Sequence, residues 1–240
     1  MRSDGRERNQ IRQVKLTNNY LMSPQGSILI EIGNTKVICT AIVEEETARH
    51  LTGSGKGWIT AEYAMIPGST GTRKKRDRGK TDGRSVEIQR LIGRALRAVV
   101  DMEKLGERTV FIDCDVIQAD GGTRTAAITG FFVAMVEAMK WMKARGMIDE
   151  IPVTGFVSAI SVGIIKEDII LDLCYEEDSR AIADMNVVMT DRGEYIEIQG
   201  TGESRPFRPS ELGELLELAS VGCRQLHKIQ REITGDIQTI

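Results

Sequence analysis

Cys114-Asp115-Val116-Ile117-Gln118-Ala119-Asp120-Gly121-Gly122-Thr123-Arg124-Thr125 joins a strand-like run to a long apolar helix, and the rest of the chain is read outward from the turn between them. Two glycines allow a tight turn and close approach of the backbone to a ligand. Thr123 has the side chain of an N-cap, and the amides that follow it point out of a helix N-terminus, the geometry of an anion seat. Arg124 strengthens that reading. A cation in the first turn opposes the helix dipole unless an anion shares the place. An ordinary strand-to-helix turn with a solvated arginine is the plainer alternative.

Upstream, Ile28–Ile32 and Lys36–Val43 flank Gly33-Asn34-Thr35 and predict a β-hairpin. A further strand is expected over Trp58–Ile66, ended by Pro67-Gly68. Between Arg73 and Arg84 stand seven basic residues and two acidic ones, with glycines and no apolar anchor. Such a loop is either solvated surface or a wrap for a polyanion. After Arg84 the period becomes helical: Ile88, Leu91, Ile92, Ala95, Leu96, Val99 and Met102 share a face. A strand over Arg108–Ile117 then leads into the glycine turn. Beyond it Ile128, Phe131, Phe132, Met135, Met139 and Met142 form a stripe that reads as core.

The second half repeats the rhythm. Val157–Ile165 with Ile169–Cys174, and Met185–Thr190 with Tyr195–Gln199, predict two hairpins. A Gly/Pro-rich segment over Gly200–Pro209 precedes a closing amphipathic helix with Leu212, Leu215, Leu216, Ala219, Cys223, Leu226 and Ile229 on one face. Hairpins followed by helices, twice over, predict an α+β chain of pseudo-duplicated halves. No linker or low-complexity tract divides it, so residues 1–240 read as a single unit.

The bulk composition narrows the class. Hydrophobic content of 41% and charged content of 28% are those of a soluble globular protein. No apolar run approaches the roughly 18–20 residues of a membrane span, and the start lacks a secretory signal. Cys39, Cys114, Cys174 and Cys223 show no metal-ligand spacing and read as buried free thiols of a reducing, cytoplasmic compartment. A net charge of −3 excludes a uniformly basic nucleic-acid binder.

Chemistry has three candidate clusters. Arg84 and Arg124 occupy two helix starts, and two such cations invite a shared anion. The third is acidic: Tyr175-Glu176-Glu177-Asp178 is expected to end a strand, with Asp184 beginning the next. Asp178 and Asp184, six apart across a short connection, can converge on a hard cation such as Mg²⁺ or form a solvated acidic turn. His50 and His227 have no partner spacing and read as surface or structural residues rather than a base.

These motifs together resemble the RNase PH family of phosphate-dependent 3′→5′ exoribonucleases, related to polynucleotide phosphorylase and the exosome ring subunits. The resemblance rests on Met1-Arg2-x-Asp4-Gly5-Arg6, Gly57-Trp58-Ile59-Thr60-Ala61-Glu62-Tyr63, Gly83-Arg84-x-x-Glu87-Ile88-Gln89-Arg90-Leu91-Ile92-Gly93-Arg94, Asp120-Gly121-Gly122-Thr123-Arg124, and Asp178 with Asp184-Met185-Asn186. It covers nearly the whole chain and implies the ribosomal-protein-S5-domain-2-like fold, assembled as a hexamer of three dimers. It further implies that Arg84, Gly122, Thr123 and Arg124 hold inorganic phosphate, the co-substrate. Asp178 and Asp184 are implied in catalysis and in binding Mg²⁺ or another divalent cation, Arg73 and Arg76 in holding RNA. The implied substrates are RNA 3′ ends, tRNA precursors among them. One departure stands out: Gly68 occupies a place where the family carries arginine, and the loop to Arg84 is slightly shortened. Two readings remain beside this one, a non-catalytic RNA-binding ring subunit and a hydrolytic nuclease. The latter would release a nucleoside monophosphate rather than a diphosphate.

Overall fold

The structure, a computed structural model, describes residues 2, 4–75 and 83–237. In chain order the strands and helices are β1 (Val14–Asn18), β2 (Gly26–Ile32), β3 (Thr35–Glu44), β4 (Trp58–Met65), α1 (Gly83–Arg97), α2 (Met102–Leu105), β5 (Thr109–Gln118), α3 (Thr123–Ala144), β6 (Val157–Ile165), β7 (Asp168–Leu171), α4 (Tyr175–Asp178), β8 (Ala183–Thr190), β9 (Tyr195–Gly202) and α5 (Pro209–Thr234). They build two sheets, ordered β1-β2-β3-β5-β4 and β7-β6-β8-β9.

The first sheet follows from alternation. Ile28, Ile30 and Ile32 of β2, Val37, Cys39 and Ala41 of β3, and Val110, Ile112, Cys114 and Val116 of β5 all point into the core. β2 and β3 pair antiparallel, as the hairpin reading expects. β4 lies parallel to β5, and the chain between them crosses through α1. In the second sheet the two expected hairpins form, β6–β7 and β8–β9.

Helix α3 lies between the sheets, packing on β2 and β3 on one side and β6 on the other. Its expected stripe is fully buried, but so are Ala126, Ala127, Val133, Ala134, Val136 and Ala138. A helix sandwiched between two layers is buried all round rather than along one stripe. At about 1.5–3 kcal/mol per fully buried large apolar side chain, the stripe alone contributes on the order of 10 kcal/mol of gross stabilisation. Buried polar side chains tie this layer together, although Gln230 Oε1 itself has no hydrogen-bond partner among the described residues. Gln230 of α5 donates through Nε2 to Thr129 O at 3.0 Å and to Val157 O at 2.8 Å, tying α5 to α3 and β6.

Two local expectations are corrected. The hairpin strand expected over Ile169–Cys174 stops at Leu171, because Asp172 takes a left-handed backbone (φ 53°) and turns its carboxylate toward Arg12. Consequently Tyr175–Asp178 is one turn of helix rather than a strand end. The four cysteines are free and buried. No described helix is long and apolar enough to cross a membrane.

Candidate active site

The glycine turn is held from below. Arg12, 6% exposed, forks onto Asp172 (Nε to Oδ2 at 3.0 Å, Nη2 to Oδ1 at 2.7 Å) and donates through Nη1 to Asp120 O at 2.6 Å. Thr35 Oγ1 donates to Gly121 O at 2.7 Å and accepts from Asp120 N at 3.0 Å. Gly121 and Gly122 both have positive φ, 74° and 65°. At Gly121 the need is also spatial, since a Cβ would stand 2.7 Å from backbone atoms of Leu173, Cys174 and Tyr175. The turn is thereby pressed against the start of α4.

Thr123 is not the N-cap. Gly122 takes that place in the left-handed region, with no side-chain cap among the described residues, and Thr123 is the first helical residue. Its hydroxyl instead meets Tyr63 Oη at 2.8 Å. Burial, then the neighbouring Cys114, pushes the Tyr63 phenol up to about 12, while Arg84 and Arg124 pull the other way. The opening amides of α3 receive no side-chain cap from Gly122 and stand on the same turn as Arg124.

Arg84 is the second residue of α1 and Arg124 the second of α3. Both lie close enough to Asp178 to lower its proton affinity, the strongest influences on it after burial. Arg124 Nη1 donates to Gln199 Oε1 at 2.9 Å, with Glu87 Oε1 further off at 3.5 Å.

The acidic side is built by α4 and β8. Glu177 is gripped by Arg2, whose Nε and Nη2 donate to its two oxygens at 2.7 Å each, and it accepts from Cys174 N at 3.0 Å. Burial alone would raise the Glu177 carboxyl, but the Arg2 fork outweighs it and holds the group low. That clamp fixes the turn that carries Asp178. Asp178 is solvent-exposed by area yet hemmed by neighbouring atoms, and this enclosure still raises its carboxyl against the pull of the two arginines. Asp184 is raised by burial first, then by the charges of Asp178 and Glu203, with Arg124 opposing. The charge of Asp178 therefore reaches Asp184 across the short connection. Among the described residues no set of three or more His, Cys, Asp or Glu side chains is gathered to hold a metal ion, so a cation here would rest on the pair and on water.

The structure thus brings together Arg84, Gly122, Thr123, Arg124, Asp178 and Asp184. Arg73 is exposed on the connection between β4 and α1, and Arg76 lies outside the described residues. His227 is buried on α5 with Nε2 at 2.9 Å from Ser158 Oγ, and burial lowers it to about 4. His50 packs edge-on against Trp58. Neither histidine is among the groups that converge here. Sequence reading missed Tyr63, Gln199 and Glu203 as neighbours of the site. A tyrosine at an inward position of a strand signals a hidden polar partner, but which partner is a matter of tertiary packing.

Residues 10–140 match the RNase PH family description "3′ exoribonuclease family, domain 1", and residues 155–222 match "3′ exoribonuclease family, domain 2". The chain belongs to the RNase PH family. Membership sets its reaction class, phosphorolytic 3′→5′ exoribonuclease and nucleotidyl transferase. It is 56% identical over 240 residues to proteins named ribonuclease PH from Bacillus cereus and Bacillus anthracis, covering 99% of this chain and 98% of each relative. The fold is similar to a solved Archaeoglobus fulgidus exosome with RNA bound to the active site, with TM-score 0.79 and 21% identity over 95% of this chain and 92% of the other. It is also similar to rice (Oryza sativa) Rrp46, with TM-score 0.78 and 20% identity over 96% and 98%. The S5-domain-2-like α+β architecture is therefore the fold of this chain.

Proposed function

We propose that the space between the starts of α1 and α3 and the Asp178–Asp184 pair is the phosphorolytic centre. The observation that carries this reading is the convergence of Arg84 and Arg124, each at a helix start, on Asp178 beside the glycine turn. Inorganic phosphate seats against Arg84, Arg124, the Thr123 hydroxyl and the first amides of α3. One of its oxygens attacks the phosphorus of the terminal RNA phosphodiester. The new P–O–P bond forms as the bond to the 3′ oxygen breaks, releasing a nucleoside 5′-diphosphate and leaving a 3′ hydroxyl on an RNA one nucleotide shorter. Phosphate near neutral pH is already an anionic nucleophile, so no histidine base is required. The arginines instead hold two mutually repelling phosphates in line.

Asp178 and Asp184 supply hard anionic oxygens whose proton affinity is raised by burial and, at Asp184, by the charge of Asp178. Such a pair fits Mg²⁺ or a similar divalent cation. When bound there, the cation would offset charge on the leaving 3′ oxygen.

The exposed Arg73, with Arg76 and the rest of the basic loop, guides single-stranded RNA toward the centre. The remaining assignments follow family membership: 3′ ends of tRNA precursors as substrate, a hexamer of three dimers, and action in the cytoplasm. Residues 1–240 are taken to work as one unit, in keeping with an α3 that packs on both sheets.

The deciding experiment incubates the protein with a short 3′-tailed RNA and Mg²⁺, with and without phosphate, and identifies the released nucleotide. Phosphate-dependent release of diphosphates, reversed when nucleoside diphosphates are abundant, is expected. Equal degradation without phosphate, with monophosphate product, would sink the reading.

A further inference from the structure

In the β8–β9 register Gln199 stands opposite Asn186, and Thr201 opposite Asp184. Alternation along β8 places Asp184 and Asn186 on one face, and a cross-strand partner shares that face. Gln199 therefore sits on the side of the sheet that presents Asp184. Its carboxamide is fully engaged: Oε1 accepts from Arg124 Nη1 at 2.9 Å, while Nε2 donates to Glu197 Oε1 at 2.9 Å and to Glu87 Oε1 at 3.2 Å. Glu197 is itself held by Arg94, whose Nε donates to its Oε2 at 2.7 Å.

Two carboxylates on one side decide which way the amide faces. They accept only from the amino end, so the carbonyl must face Arg124; the reverse would set oxygen against two carboxylates and an amino group against a guanidinium. The result is a neutral acceptor for Arg124. Neutrality matters because Glu87 stands within 3.5 Å of the same guanidinium nitrogen. A close Arg124–Glu87 pair would satisfy the arginine with a carboxylate and withdraw its charge from an incoming anion.

We propose that Gln199 is a positioning residue for phosphate. It holds the Arg124 fork in place without neutralising it, and engages Glu87 so that the acid does not capture the arginine. This inference rests on the reading of Arg124 as a phosphate ligand.

The test titrates phosphate at saturating RNA for Gln199→Ala, Gln199→Glu, Glu87→Gln, the double variant Gln199→Ala/Glu87→Gln, and Arg124→Ala, with thermal melts alongside. Gln199→Ala should raise the phosphate KM roughly tenfold, the low end for a lost charge-assisted hydrogen bond, with kcat at saturating phosphate nearly kept. The near-isosteric Gln199→Glu should raise KM further, because its carboxylate pairs with Arg124 directly. Adding Glu87→Gln to Gln199→Ala should restore most of the loss, since no acid remains beside the arginine to capture it. An unchanged KM in Gln199→Ala, a fall in kcat alone, or no rescue by Glu87→Gln would overturn the inference. If Arg124→Ala itself leaves the phosphate dependence unaltered, it is the phosphate-site reading that fails, and the role of Gln199 with it.

Discussion

The hydroxyls of Tyr63 and Thr123 lie 2.8 Å apart, linking the inward face of β4 to the first residue of α3. Because burial pushes Tyr63 up to about 12, it keeps its proton through the working pH range. Donating that proton to Thr123 leaves the threonine's own hydrogen for a further acceptor, which under the proposed reading is phosphate. Tyr63→Phe keeps the ring and its packing but removes the donor. It should cost about 1 kcal/mol of stability and raise the phosphate KM several-fold. Phosphate titration with a thermal melt checks this, and an unmoved KM would reduce the contact to packing.

Arg124→Lys separates charge from shape. Lysine keeps the cation but loses the planar two-pronged donor that can serve Gln199 and phosphate together. The loss of a charge-assisted hydrogen bond corresponds to about 1.5–3 kcal/mol, a factor of about 10 to 150 in apparent phosphate affinity. Circular dichroism should show an intact fold, because the side chain faces the site rather than the core. A lysine variant with wild-type phosphate dependence would mean that any cation suffices.

Asp184→Asn should move activity and stability in opposite directions. Turnover should fall by orders of magnitude with RNA affinity nearly unchanged, because the loss falls on transition-state charge. For stability, a carboxyl raised in the folded state favours folding most below its unfolded value, and that contribution is lost as pH rises through the folded value. At neutral pH the ionised Asp184 is thus a liability, crowded by Asp178 and Glu203. Removing its charge should raise the melting temperature modestly. Normal turnover at saturating Mg²⁺ would take the aspartate out of the mechanism.

His227 gives the opposite sign. Burial beside Ser158 lowers it to about 4, with Asp191 raising it and Arg231 lowering it further. Between the ordinary histidine value and that lowered one, the unfolded chain binds the extra proton. Stability contributed by the neutral ring is therefore complete above about pH 6.5 and falls as pH drops toward 4, by at most about 3 kcal/mol. Urea midpoints at pH 7 and pH 5, at fixed protein concentration, should drop less for His227→Gln than for the natural protein. Equal drops would show that other groups govern the acid limb.

The elements legible in the residues are those with a burial period or a sustained apolar run bounded by turns. β2, β3, β5 and the start of β8 alternate, β6 is an apolar run buried almost throughout, α1 and α5 carry one apolar face, and turns such as Gly193 (φ 83°) punctuate them. β1 was missed because Val14-Lys15-Leu16-Thr17-Asn18 is a short, partly exposed sheet edge that gives little periodic signal. α4 was misread because a single helical turn after an apolar strand has too few residues to show a period. At the site, the arginines at two helix starts and the paired aspartates could be picked out as charge in unusual places. Thr123 could not be placed correctly, since threonine suits both the cap and the first turn, and only the left-handed Gly122 decides between them. Gln199 and Glu203 depend on strand register, which one chain's residue order does not reveal.

The grip of Arg2 on Glu177 spans 175 positions of chain. During synthesis the glycine turn, Arg84 and Arg124 emerge well before the helical turn that the N-terminal segment must clamp. Closing so long a loop costs entropy before any contact repays it. A chain folded only through α3 would lack both Asp178 and Asp184, and also the Asp172 carboxylate and the start of α4 against which the glycine turn is held. If the two aspartates carry the reaction, cutting power follows the docking of the second sheet, and a chain truncated after α3 should leave RNA intact.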